Sequence, residues 1–235
     1  MVRIVSAVLT AFLLSLGLAG CGEQESTEAD DADTFEPYTR ETLLVAMGKA
    51  VESHPTVRMQ FEGAGEKMDL RMRMGGVDEV AMSGTIEGDD EPFEMILVGS
   101  EVYGRDQGDE KYMRFPDDIS GPILADMGDM SPQGMIDDMR DSIETMEYVG
   151  AETLDGAEVQ RYDVTVSQAA LVEKLGAKAK GLRVTYRMWL DERDLITKMT
   201  VAVMGVEMVA TMSEWGEPFD VKAPPASQVE AFPGA

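Results

Sequence analysis

The chain has 235 residues, of which 44% are hydrophobic and 28% charged, enough apolar material for one medium domain and too much for a wholly disordered chain. Forty-five acidic residues against 20 basic ones give a formal charge of −25, a surface that repels phosphate backbones and excludes nucleic acid as a partner. With one cysteine, Cys21, and one histidine, His54, the chain lacks the parts for an internal disulfide, a zinc site or a Ser/His/Asp triad. A non-enzymatic role without metal or cofactor is the expectation.

Arg3 gives a positive start, and Ile4 to Leu18 carries no charge, a run of the length of a secretion signal and short for a spanning helix. It ends in Leu18-Ala19-Gly20-Cys21, a quartet that resembles the bacterial lipobox. The resemblance implies that residues 1–20 are a lipoprotein signal peptide removed by cleavage before Cys21, whose sulfur carries diacylglycerol. The alternative is an uncleaved helix with an incidental cysteine. Acyl chains contribute about 0.8 kcal/mol per buried CH₂, so two or three hold a domain on the extracytoplasmic face of the cell membrane. From Gly22 to Glu36 there are seven acids and no base, a composition that cannot offset the entropy of ordering. Residues 21–36 read as the lipidated cysteine plus a flexible tether, with a reach on the order of 20 Å.

The remainder, residues 37–235, reads as one domain. Thr39 is placed to cap a helix from Arg40 to Ser53 that carries Leu43, Leu44, Met47, Ala50 and Val51 on one face and ends at His54-Pro55. The period then switches to two: Val57, Met59 and Phe61, then Met68, Leu70, Met72 and Met74, predict two antiparallel strands with a turn near Gly63 to Lys67. Val80, Met82 and Ile86 continue the pattern, with Gly84 as an expected bulge or weak point. Phe93 to Val98 predicts a strand apolar on both faces, followed by a turn at Gly99-Ser100-Glu101, a strand through Val102 and Tyr103, and a short one from Lys111 to Phe115.

Pro116 to Pro132 reads as loop, although Ile123, Leu124, Met127 and Met130 need cover. Met135, Ile136, Met139, Ile143 and Met146 recur at helical spacing and predict an amphipathic helix, either closing one sheet face or serving as a soft-sided lid. Strands follow over Glu147 to Ala151, Ala157 to Val166, Leu182 to Leu190, Ile196 to Met204 and Val206 to Met212, with turns at Leu154-Asp155-Gly156 and Met204-Gly205. Ser167 and Gly176 bracket a brief helix from Gln168 to Leu175. The expected fold is α+β: about nine to eleven antiparallel strands form a sheet too large to stay flat, and two or three helices plug its concave face.

Nineteen methionines occupy many of the inward positions. Methionine is flexible and polarisable, so a wall of it adapts to ligands of variable shape; the same residues can also fill an ordinary core. Cu(I) capture by Met72-Arg73-Met74 or Met127-Gly128-Asp129-Met130 is disfavoured by the absence of a neighbouring histidine and by Arg73 between two ligands. The acidic clusters Asp89-Asp90-Glu91, Asp117-Asp118 and Asp137-Asp138 lack the ligand order of a calcium loop.

The C-terminal half carries Leu154-Asp155-Gly156 followed by Tyr162, then Met188-Trp189-Leu190-Asp191 with Leu195 and Met199, and finally Trp215-Gly216-Glu217-Pro218-Phe219-Asp220-Val221 before Ala223-Pro224-Pro225. With the lipobox and the helix-then-strands order, these resemble the LppX/LprAFG lipoproteins of actinobacteria, relatives of the LolA/LolB carriers and the RseB sensor domain. The resemblance implies a half-open β-barrel of about eleven strands, in line with the sheet size above. It also implies an apolar cavity for acyl chains of lipids or glycolipids. A monomer with an envelope transport protein as partner is the expectation. From alternation, the lining is expected at Met68, Leu70, Met72, Met82, Ile86, Met95, Leu97, Val201, Val203, Met208 and Met212. Trp189 and Trp215 are expected to be packing residues. The alternative function is an envelope sensor or interaction module on the same fold with no transported ligand.

Overall fold

Thr39 stops the entering chain in extended conformation, and its hydroxyl accepts from the Thr42 amide while the Thr42 hydroxyl accepts from the Thr39 amide. This reciprocal cap starts helix α1, Arg40–Ser53, which buries the five residues of the predicted face. The His54 amide closes the helix on the carbonyls of Ala50 and Val51, and the His54 Nδ1–H donates to Ala50 at 2.9 Å. The sole histidine is thereby used as a helix end.

The computed structural model describes residues 36–75, 79–88, 91–127, 131–175, 180–203 and 206–232. The signal-like segment, Cys21 and the acidic stretch to Phe35 lie outside them, as do Gly176 and the expected turn at Met204-Gly205. Residues 37–235 form one unit. Its described strands are β1 Thr56–Gly63, β2 Glu66–Arg73, β3 Ala81–Glu87, β4 Phe93–Val98, β5 Glu101–Asp106, β6 Tyr112–Arg114, β7 Ile143–Leu154, β8 Ala157–Val166, β9 Thr185–Leu190, β10 Ile196–Val203, β11 Val206–Ser213 and β12 Val229–Ala231.

The twelve strands make one curled, unclosed sheet in the order β12-β6-β5-β4-β3-β2-β1-β11-β10-β9-β8-β7. Two meanders, β1 to β6 and β7 to β11, join where β11 pairs antiparallel with β1. Neighbouring strands are antiparallel except for the three-residue β12, which runs parallel to β6 and which the alternation pattern was too short to reveal. Gly84 makes no bulge. The β2–β3 register runs without a shift from Lys67↔Glu87 to Arg73↔Ala81, because a glycine is what lets the two backbones close up there: a Cβ at 84 would lie 2.0 Å from the Asp69 carbonyl oxygen.

Four α-helices accompany the sheet where two or three were expected. Residues 117–127, read as loop, form α2, Asp117–Met127, despite Pro122 inside it; Leu124 packs onto the core and overrides the weak local propensity. Helix α3, Pro132–Ser142, starts on Ser131, whose hydroxyl accepts from the Gly134 amide. It stops at Ser142, so the predicted helix was too long. Ile143 and Met146 belong to β7, where the β-branched Ile143 and Thr145 favour extended backbone and pair with β8 from Ile143↔Val166 onward. Helix α4, Gln168–Leu175, is capped by Ser167 as expected.

The core lies on one side of the sheet. Ala50 and Val51 of α1 pack with Val57, Leu70, Met72, Met82, Leu97, Val102, Leu195 and Trp215, and Leu124 of α2 and Met135 of α3 lean on the same cluster. Leu43, Leu44 and Met47 pack with Ile136, Ile143, Tyr162, Val164, Met188 and Leu190. Leu171 of α4 covers Val184, with Val166, Leu182 and Val201 beside it. A notch at Gly48 lets α3 approach α1, since a Cβ there would sit 3.2 Å from Ile136 Cγ1. No helix among the described residues is long and apolar enough to cross a membrane.

Candidate ligand-binding face

Strand alternation and the registers place the inward side chains in rows across the sheet. One row is Val57, Met72, Met82, Leu97, Val102; the next is Met212, Met59, Leu70, Gly84, Met95, Gly104; a third is Ala210, Phe61, Met68, Ile86, Phe93 and, at the exposed edge, Asp106. In the other meander, Met199, Met188, Tyr162 and Tyr148 form one row, and Met208, Val201, Tyr186, Val164 and Met146 another. The face is apolar over nearly its whole width.

Ten of the expected lining residues therefore share one face. Val203 continues the register opposite Val206, but its side chain lies outside the description. Burial divides the ten. Leu70, Met72, Met82 and Leu97 are only 5%, 8%, 5% and 1% exposed and belong to the packed core beneath α1, so they are not free wall. Met68, Ile86, Met95, Val201, Met208 and Met212 are half-buried. The face is closed at the α1 end and becomes progressively less covered away from it.

Of the helical stripe, Met135, Ile136 and Met139 remain on α3, with Ile136 buried and the two methionines half-buried. Met135 packs on the first cluster and Met139 on the second. Ile143 and Met146, now on β7, form part of the sheet wall instead. Met59, Phe61 and Tyr186 join the face although they were not among the expected lining; the first two alternate visibly in sequence, whereas Tyr186 needed the β9 register, which pattern alone does not fix.

The opposite face is polar and tightly paired. Trp189 lies there, under Arg161 and Lys198, and its Nε1–H donates to Glu152 at 2.7 Å. Trp215 donates to the Ile196 carbonyl at 2.8 Å. Both tryptophans are packing residues. A cleft of about 780 Å³ opens at the β1–β2 end, where Gln60, Glu62, Lys67, Asp69, Thr85 and Glu87 stand beside Phe61, Met68 and Val209. A second, of about 380 Å³, separates α1 from α3.

No protein-family model and no curated protein sequence matches the chain. Among solved structures, LprF from Mycobacterium bovis superposes with a TM-score of 0.58 at 15% identity, over 79% of this chain and 96% of LprF. The Mycobacterium tuberculosis lipoprotein LppX superposes with a TM-score of 0.57 at 16% identity, over 77% of this chain and 99% of LppX. The chain has the LppX/LprF fold. At these identities the likeness is one of fold.

In this LppX-like sheet the outer face is held in register by ion pairs. Arg58 grips Asp69 through Nε to Oδ1 at 2.8 Å and Nη2 to Oδ2 at 2.6 Å, and Gln60 adds a bond at 3.2 Å. The guanidinium, foremost through these hydrogen bonds, holds the Asp69 carboxyl below its ordinary value of 3.8 against the opposing effect of burial. A carboxylate held low in the fold stabilises fully above its ordinary value, and that contribution is lost as pH falls through the folded value. Between about pH 5 and pH 3 the urea midpoint of the wild type is therefore expected to fall more steeply than that of Asp69→Asn. Parallel declines would show that the pair does not contribute.

Proposed function

We propose that the protein is a cell-envelope lipoprotein, anchored through Cys21 on the extracytoplasmic face of the membrane, that binds and carries the acyl chains of a lipid or glycolipid on its concave sheet face. The observation that carries this reading is the largely apolar face whose less covered end is built from half-buried Met68, Ile86, Met95, Val201, Met208 and Met212. Aliphatic surface exposed to water costs about 25 cal/mol per Å², so a carrier must cover a chain and still release it. Flexible thioether side chains on a curled sheet, with helices as a movable cover, support both.

Binding rather than catalysis is the proposed role. The only histidine is spent on the end of α1, Arg58, Arg105 and Arg161 of the outer face are engaged with carboxylates, and among the described residues of the apolar side no nucleophile stands beside a base. An envelope transport protein is the class of partner that would receive the ligand. Native mass spectrometry of the chain extracted from its own membranes is expected to show the protein with a non-covalent amphiphile that leaves on collisional activation. A ligand-free spectrum, with one stoichiometric protein partner captured instead, would favour the sensor reading on the same fold.

A further inference from the structure

The chain has six tyrosines, and five have hydroxyl partners. Tyr38 donates to Asp194 at 3.2 Å, Tyr103 to Glu101 at 3.0 Å, Tyr112 to Glu94 at 2.9 Å and Tyr148 to Gln160 at 2.6 Å, while the Tyr162 hydroxyl accepts from the Tyr38 amide at 3.2 Å. Tyr186 is the exception: among the described residues its hydroxyl has no hydrogen-bond partner. No buried side-chain nitrogen or oxygen among the described residues lacks a partner, so the Tyr186 hydroxyl keeps access to solvent and is free to meet a ligand.

Its position is well defined. On β9, Tyr186 stands between Val164 of β8 and Val201 of β10. Met188, on the same face of β9, and Val184, just before the strand, are both buried. The ring packs against the cluster beneath α1 and α3 and is half-buried. Its registered neighbours are all apolar. Burial alone pushes the phenol up to about 12, with no charged group contributing.

We propose that the Tyr186 hydroxyl is the polar determinant of the concave face, donating a hydrogen bond to an uncharged carbonyl of the bound amphiphile and selecting such ligands over bare hydrocarbon and over anionic head groups. This rests on the reading that the concave face takes up acyl ligands. A lone donor among aliphatic side chains satisfies a neutral acceptor such as an ester or amide carbonyl. A phosphate or carboxylate placed there would be a desolvated charge without a counter-ion, which a single phenol does not offset. The donor itself stays protonated across the physiological range, so the preference is independent of pH below that of phenol ionisation.

The test uses the full chain and the uncharged fluorophore N-phenyl-1-naphthylamine, displaced in turn by methyl laurate, tridecane and sodium laurate. The wild type is expected to prefer methyl laurate to tridecane by about fivefold, the worth of one hydrogen bond, and to bind laurate most weakly. Tyr186→Phe keeps the ring and its packing, and is expected to lose the ester preference while its tridecane affinity stays the same. Tyr112→Phe, which removes a hydroxyl from the polar face, is expected to retain it. An unchanged ester preference in Tyr186→Phe, with the fluorophore still taken up, would overturn the role of Tyr186 and leave the binding reading standing. No uptake of the fluorophore by the wild type would overturn both.

Discussion

Gly84→Val is expected to destabilise the fold by about 3 kcal/mol in urea unfolding, the upper end of what forced overpacking produces. The side chain would start with a Cβ 2.0 Å from the Asp69 carbonyl oxygen and 2.8 Å from both the Cα and the Cδ2 of Leu70. Two of these are backbone atoms of β2, held by the ladder that pairs it with β3 and β1. Leu70 is 5% exposed and packed among core neighbours, so it cannot swing away. The strands must separate. Gly88→Ala is the matched control, because the nearest atom to its new Cβ is 3.9 Å away, and a shift within about 0.5 kcal/mol is expected there. Equal stability of Gly84→Val and Gly88→Ala would contradict the close approach of β2 and β3.

Ile86→Glu is expected to weaken uptake of N-phenyl-1-naphthylamine by at least about tenfold, since a carboxylate would have to lose its water for an apolar guest to lie against it. Ile86 pairs with Met68 on one side and Phe93 on the other, and it is half-buried near the end of β3, so the unliganded fold can leave the charge in water. Its neighbour Thr85 points to the polar face, beside Asp69 and Glu94. Thr85→Glu is therefore expected to leave uptake unchanged. Equal affinities for the two variants would mean that the guest lies elsewhere.

Much of this arrangement was legible in the sequence, because alternation is strict where one face of a strand is buried. Met68 to Met74 and Val57 to Phe61 declared their inward positions, and Thr39 and Ser167 declared their helices. What alternation does not encode is depth. Met72 and Met68 alternate identically, yet the first lies beneath Ala50 and Val51 of α1 while the second sits nearer the open end, a difference set by where a helix from elsewhere in the chain comes to rest. The boundary of α3 failed for a related reason: Met139, Ile143 and Met146 satisfy a helical period, but Ile143 and Met146 also satisfy a period of two, and pairing with β8 decides between them. Helix α2 was hidden by Pro122 and Gly121, whose local preference Leu124 outweighs through burial. Tyr186 was invisible because an unpaired hydroxyl is a property of its surroundings and not of its residue type.

The central claim, that an acyl chain rests on the concave face, is tested most directly by crystallising the protein with a fatty ester brominated along its chain and locating the bromine by anomalous scattering. The account predicts a bromine peak between the helices and the row of Phe61, Met68 and Ile86, or over the adjoining Met208 and Val201. A concave face filled solidly by the protein's own side chains, with bromine absent or seated only in the cleft beside Glu62 and Glu87, would contradict it.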